Sequence, residues 1–266
     1  MKKTFAYVTA AAATALAPAL ASAQAAAAAE PASPLTGNMT LTSDYRFRGI
    51  SQSFRLPAIQ GGIDWAHESG FYLGNWNSSV SGNSYPNGAS LEMDFYGGYK
   101  LALSKEFTLD FGGIYYYYPG AYYNGFLPSK PGFDNFEVYV GATYGPFSGK
   151  VYVALTDYFG LDQTTGAAFG GKGSAGSWYA DLSYSTEIMP KTTLGAHVGY
   201  MKVQSYGDFD YFDYKIGLTY DWGGWLLGAN IVGTNADKAI YVASDSSGKT
   251  KNLGETGFIL SIGKTF

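Results

Sequence analysis

The chain has 266 residues, no cysteine and a formal net charge of −4 at pH 7. It carries 24 Tyr, 17 Phe, 5 Trp and 36 Gly, while only 14% of its residues are charged. So acidic and arginine-poor a chain lacks the footprint of a nucleic-acid binder, the want of cysteine excludes a disulfide scaffold, and beyond the N-terminal segment no run approaches the ~18 apolar residues of a membrane helix.

In chain order, Lys2 and Lys3 precede an apolar run from Phe5 to Leu20, and Ala21-Ser22-Ala23 supplies a small-x-small cleavage site. Together they predict a secretory signal peptide over residues 1–23. The alanine-rich stretch 24–34, with Pro31 and Pro34, reads as a flexible periplasmic leader with nothing to pack against. Residues 35–266 read as one domain.

Alternation then begins. Met39, Leu41, Ser43, Tyr45 and Phe47 alternate with Thr40, Thr42, Asp44, Arg46 and Arg48. Ile59, Ile63 and Trp65 alternate with Gln60 and Asp64. A third segment, Phe71 to Val80, has an open register, because Leu73 and Trp76 differ in parity. Leu91, Met93 and Phe95 alternate with Glu92 and Asp94, Phe107, Leu109 and Phe111 with Thr108 and Asp110, and Phe136 and Val138 with Glu137. Similar segments follow near residues 151–155, 178–184, 194–200, 214–220, 225–231 and 257–266. About twelve strands result, each near the ~9–11 residues that cross a bilayer at a tilt.

The connections sharpen this. Those at 67–70, 102–105, 145–149, 186–191 and 221–224 are tight, and those between them, at 49–56, 81–89, 119–135, 158–177, 202–209 and 233–254, are long. Strict short–long alternation predicts an all-β fold, a closed antiparallel up-and-down transmembrane β-barrel with short periplasmic turns and long extracellular loops. A Greek-key sandwich would cross between sheets instead. A closed sheet also gives every backbone N–H and C=O in hydrocarbon an internal partner. Twelve strands ~4.8 Å apart and tilted by ~40° enclose a backbone diameter of about 24 Å.

Parity assigns the interior. Asp44, Arg46, Arg48, Glu92, Asp94, Asp110, Glu137, Asp181, His197, Asp213 and Lys215 are expected to line the lumen, since an arginine or lysine on the lipid face costs ~2–4 kcal/mol at the midplane. Interior acids outnumber interior bases, which predicts a weak cation preference. These charges either stabilise the interior by pairing or select solutes. The run Tyr115-Tyr116-Tyr117-Tyr118 reads as an outer aromatic girdle, with a sugar-stacking platform as the other reading.

Two resemblances add to this. The last segment, with Phe258, Leu260, Ile262 and Phe266 on one parity, resembles the C-terminal strand of bacterial outer-membrane barrels, which implies that Phe266 is an assembly signal read by the insertion machinery. Lys264 departs from that pattern. More specific is Leu41-Thr-Ser-Asp-Tyr-Arg-Phe-Arg-Gly-Ile-Ser-Gln-Ser53, followed by Pro57-Ala-Ile-Gln-Gly-Gly62. It resembles the opening signature of a proteobacterial family of exported proteins, the TorF-type porins (Gcw_chp). The resemblance implies a barrel in the outer membrane of a Gram-negative bacterium, with outer-membrane lipid, the assembly machinery and small hydrophilic solutes as its partners.

Catalytic chemistry is sparse. His67 and His197 are the only histidines. His67 falls in a turn, and His197 has lumen parity with no Ser or Asp at a recognisable spacing. No cofactor or metal motif stands out. The sequence therefore predicts a non-enzymatic porin, a passive diffusion channel for small hydrophilic solutes. The alternatives are a plugged or narrow barrel acting as structural protein or adhesin and, third, an outer-membrane lipase.

Overall fold

The computed structural model describes residues 34–85, 89–123 and 131–266. The expected signal peptide, and all of the leader except Pro34, lie outside the described residues. The rest folds as a closed barrel of twelve antiparallel strands. In chain order these are β1 (Leu35–Thr42), β2 (Ala58–Ala66), β3 (Phe71–Ser79), β4 (Leu91–Ala102), β5 (Phe107–Tyr117), β6 (Asn135–Tyr144), β7 (Phe147–Ala154), β8 (Trp178–Met189), β9 (Thr192–Lys202), β10 (Tyr211–Trp222), β11 (Trp225–Thr234) and β12 (Gly257–Thr265). Each strand pairs with its neighbours in sequence, and β1 pairs with β12 to close the sheet.

Turn chemistry explains the tight end. Between β10 and β11, Gly223 and Gly224 take φ of +61° and +88°, and Trp222 faces Trp225 across the two-residue turn. Positive φ at both central positions is the hairpin geometry that matches strand twist, and glycine adopts it without a steric penalty. Pro34 and Phe266 lie at this end too, beside the β2–β3 turn.

The wall behaves as its alternation requires. Leu41, Ile59, Ile63, Val140, Leu182, Val198, Ile216, Leu218 and Leu260 are exposed on the outer surface. Aromatic pairs band both ends. Phe71–Tyr99, Phe107–Tyr144 and Phe147–Tyr184 sit near the turns, and Trp178–Tyr200–Phe212 near the loops. Lys264 points outward at the turn end, its Nζ 5.3 Å from the Trp225 ring and 5.8 Å from the Phe266 ring. A long stem along apolar surface with its charge at the interface accommodates this departure from the terminal pattern. On β3 the open register resolves. Trp76 points inward against Tyr45, so Leu73, Asn75 and Asn77 point outward.

The tyrosine run splits by parity. Tyr115 and Tyr117 stack on the outer surface, whereas Tyr116 and Tyr118 are buried inside. One correction concerns the first segment. Alternation sends Tyr45 and Phe47 to the face opposite Asp44, Arg46 and Arg48, but β1 ends at Thr42 and all five enter the barrel. They belong to the first long connection, which folds inward. The principal cluster of buried apolar residues thus lies inside the barrel, in its loop-side half, rather than between two layers.

Candidate functional site

The inward segment is built around a short hairpin in which Arg46 pairs with Ser51 and Phe47 with Ile50. Its turn residues, Arg48 and Gly49, have φ of +44° and +81°, again the doubly left-handed geometry of a tight hairpin. A Cβ on Gly49 would lie 2.3 Å from Thr234 Cγ2 and 2.8 Å from Asp213 Cβ, so the turn tip is pressed against β10 and β11. Asp44 organises the base. It accepts hydrogen bonds from Ser51 Oγ (2.6 Å), Ser53 Oγ (3.1 Å) and Arg46 Nε (2.6 Å). Arg46 Nη1 donates to the carbonyl oxygens of Gly49, Leu253 and Glu255, at 2.9, 3.1 and 2.9 Å.

At the tip, Arg48 makes a forked pair with Glu137 on β6. Nη2 lies 2.6 Å from Oε2 and Nη1 3.1 Å from Oε1. Both side chains are shut off from solvent. Tyr116 Oη and Asn135 Nδ2 each donate to Glu137 at 3.2 Å. The guanidinium carbon sits 4.3 Å from the Tyr179 ring centre, 4.5 Å from Phe47 and 5.2 Å from Tyr152. Burial, the largest single influence, would push the Arg48 pKa down, but the Glu137 carboxylate together with the Tyr158 and Tyr116 hydroxyls outweighs it and holds it well above its ordinary value. An enclosed charge survives when it is paired and hydrogen-bonded in this way, here through Nη1 and Nη2, while Nε is left without a partner.

Around this pair the loop-side half of the lumen is packed solid. Phe47, Ile50, Tyr85, Tyr116, Phe133, Phe159, Met201 and Leu253 have essentially no exposed surface. The segment touches strands around the circumference: Tyr45 Oη donates to Glu92 on β4 at 2.9 Å, and Arg48 Nη1 reaches Met201 Sδ on β9 at 3.7 Å. The sequence carried a signal for this stopper. Apolar Ile50 and Phe54 stand in a connection that ought to be polar, beside a hairpin turn.

Toward the turns the interior opens into a vestibule of half-exposed polar groups. Lys150 Nζ lies 2.7 Å from Asp110 Oδ2, and Tyr72 Oη donates to Asp110 Oδ1 at 2.6 Å while also meeting Tyr139 Oη. Tyr96 hydrogen-bonds Asp64. His197 stands between two carboxylates, Nε2 2.6 Å from Asp213 Oδ1 and Nδ1 against Asp181, with Lys215 directly across on β10.

The expected interior residues therefore fall into two groups. Asp44, Arg46, Arg48, Glu92, Asp94, Glu137 and Asp213 are held in or against the stopper, and Asp110, Asp181, His197 and Lys215 face the vestibule. This division removes the basis for a cation preference. Asp44, Glu92, Asp94, Glu137 and Asp213, five of the interior acids, are enclosed against only two of the bases, Arg46 and Arg48. The accessible charges, Asp64, Asp110 and Asp181 against Lys100, Lys150 and Lys215, balance. Among the described residues no His, Asp and Glu side chains gather in a metal-holding group. His67 Nδ1 does meet Ser69 Oγ at 2.6 Å, but it also accepts the Ser69 backbone N–H in an exposed turn, and its ring stacks on Trp65.

The closed barrel is similar to solved outer-membrane porins. The KdgM porin aligns with a TM-score of 0.51 at 10% identity, over 87% of this chain and 98% of its own. The NanC porin aligns with a TM-score of 0.54 at 10% identity, over the same shares, 87% and 98%. The KdgM porin has also been solved in complex with disordered oligogalacturonate. At this identity the likeness is one of fold, and no curated protein sequence matches the chain. Residues 26–266, which include the entire barrel, match the family of bacterial proteins of unknown function called Gcw_chp, and the chain belongs to that family.

Proposed function

We propose that this protein is a non-enzymatic outer-membrane channel for small hydrophilic solutes whose loop-side half is held closed by its own first connection. The observation that carries this is the fully enclosed Arg48–Glu137 pair inside the barrel, above a polar vestibule open at the turn end. A polar-lined bore behind a stopper suits a path that conducts when the stopper moves. A barrel that was only a scaffold would have no use for the vestibule. Small solutes enter from the vestibule or the loops according to their gradient, and the balanced accessible charge makes the path weakly selective.

Single-channel recording in planar bilayers tests this. The intact protein is expected to show brief, low-conductance openings, and a variant lacking residues 45–54 a steady, larger one. A steady wide conductance from the intact protein contradicts the closed resting state. Silence from both proteins, each showing the heat-modifiable gel mobility of a folded barrel, contradicts the channel and leaves the plugged structural barrel. Export with loss of residues 1–23, and recognition of Phe266 by the assembly machinery, complete the proposal. Mass spectrometry of an outer-membrane fraction checks the first. The second predicts that deleting Phe266 lowers outer-membrane levels while the barrel that does assemble stays folded, and unchanged levels would refute it.

A further inference from the structure

The last long connection, residues 235–256 between β11 and β12, grips the stopper along most of its length. Ser51 N donates to the Leu253 carbonyl at 2.9 Å. Arg46 Nη1 donates to the carbonyls of Leu253 and Glu255. Lys251 Nζ donates to the Phe54 carbonyl at 2.9 Å and stands 4.5 Å from the centre of that ring. Arg55 pairs with Glu255. Ile50 packs on Gly254, where a Cβ would lie 3.2 Å from Ile50 Cδ1. The bonds differ in weight. Arg55–Glu255 is exposed and contributes little. Arg46 contributes more, because its side chain is enclosed and an enclosed charged donor that loses its acceptors keeps the full cost of its desolvation.

Topology sets the two segments side by side. The stopper follows β1, the last connection precedes β12, and β12 pairs with β1, so both rise from one arc of the wall. Beyond that arc the stopper is tied to β4 by Tyr45–Glu92 and to β6 by Arg48–Glu137. Arg48 also reaches Tyr158 and Met201. Gln52 meets the connection between β3 and β4, its carbonyl accepting from Ser81 N at 3.0 Å and its side chain from Tyr85. The last connection is tied to β10 by Asn235, which exchanges hydrogen bonds with Phe212, and to the connection before β10 by Tyr241 Oη, which donates to the Phe209 carbonyl at 2.7 Å.

Any displacement of the stopper parts Arg48 from Glu137 and Tyr45 from Glu92, so those ties do not decide how it moves. Moving alone, the stopper also breaks every bond to residues 235–256. Moving with them, it keeps those bonds and the Tyr241–Phe209 bond is lost instead, while Asn235 stays at the end of β11 as part of the hinge. We infer that the gate of this channel is one body, made of the stopper and the last connection and hinged on the β11–β12–β1–β2 arc. The short hairpin in which Val242–Ser244 pairs with Thr250–Asn252 belongs to that body, and its turn is exposed at the loop end. Coupling of this kind is reciprocal, so whatever restrains the hairpin restrains the stopper. The inference rests on the stopper moving, as the channel reading requires.

Hydrogen exchange read by mass spectrometry, on the full protein in micelles, tests the shared body. Arg48→Met frees the stopper from the far wall. Segments that open as a unit share one opening equilibrium, so the amides of 43–57 and of 235–256 are expected to exchange faster by one common factor, about tenfold, while the strands keep their rates. Faster exchange in 43–57 with 235–256 unchanged overturns the inference. Should Arg48→Met fail to assemble, Glu137→Gln weakens the same tie and carries the same expectation. A second experiment uses Arg55→Cys with Glu255→Cys, joined by a short bismaleimide in a chain that has no other cysteine. Single-channel openings are expected to continue after linking as often as before it, and openings that stop on linking overturn the inference. If the unlinked protein never opens, it is the channel reading that fails, and the exchange experiment alone decides whether the two segments are one body.

Discussion

Arg48 and Glu137 stand 89 positions apart in the chain and meet at 2.6 Å inside the barrel, both sealed from solvent. The pair ties the first connection to the wall opposite. Removing one partner of such a pair leaves an uncompensated charge, whereas replacing both with apolar groups of similar volume is close to neutral. Arg48→Met is therefore expected to destabilise the protein by about 3–5 kcal/mol, and Arg48→Met with Glu137→Leu to recover most of that. Urea unfolding in micelles, followed by tryptophan fluorescence, measures both. Equal destabilisation by the single and double variants would show that the pair is not the tie.

Gly49→Ala is expected to unseat the hairpin without dismantling the wall. Alanine meets Thr234 Cγ2 at 2.3 Å with φ at +81°, a strained conformation that alone costs ~1–3 kcal/mol. Limited proteolysis should cut the 43–57 connection faster in the variant, while heat-modifiable mobility stays normal. Unchanged cutting would place the turn elsewhere.

The tyrosine run offers a contrast between neighbours. Tyr116 is fully buried in the stopper and Tyr117 is exposed on the outer surface. Tyr116→Ala is expected to destabilise by ~3–5 kcal/mol, as large aromatic truncations in a packed core do, and Tyr117→Ala by less than half of that. Urea midpoints that fall together would reverse the assignment.

On β10, Leu218 is exposed on the outer face while Lys215 lies on the inner one. A charge at Leu218 should cost ~2–4 kcal/mol near the midplane, and Lys215→Gln far less. Labelling with a membrane-impermeant thiol reagent is expected at Lys215→Cys once residues 45–54 are removed, and not at Leu218→Cys. Reversed labelling would mean a one-residue slip of register.

In the same opened variant, Lys150→Ala leaves Asp110 without its counter-charge, 2.7 Å away in the intact vestibule. The cation-to-anion permeability ratio should then rise roughly twofold, and salt should damp the change. Reversal potentials in a salt gradient measure it, and a shift toward anions would place the accessible charges wrongly.

What was legible in the sequence follows the periodicity. Strand number, the order of turns and loops, and the outward side of Ile216, Leu218 and Leu260 all stem from alternation that a bilayer enforces on every residue of the wall. The stopper was not legible in the alternation, which has two states while the stopper is a third; its one signal was apolar Ile50 and Phe54 in a connection. Tyr45 and Phe47 keep the strand period past the end of β1, so the pattern extended the wall through them. The departure is set by Asp44 binding Ser51 and Ser53 and by a left-handed turn at Arg48-Gly49, local contacts that alternation does not register. Parity could also say that Glu137 faces inward, but not that Arg48 would reach it. Leu73 and Trp76 gave contradictory signals for one reason: on β3 the polar side chains face out and the large aromatic faces in.

The position of the stopper in the chain has a further consequence. Tyr45, Phe47 and Arg48 follow β1 almost at once, yet they touch Glu92 on β4, Tyr116 on β5, Glu137 on β6, Tyr179 on β8 and Met201 on β9. A segment so early in order and so central in section is a mandrel on which the later sheet is wound. The circumference at which β12 meets β1 is then fitted to the bulk of these side chains, as a cooper fits staves to a form. Trimming Phe47 and Ile50 to alanine should let the cross-section relax toward an ellipse, and distances between spin labels at Val140 and Leu260 would broaden as it does.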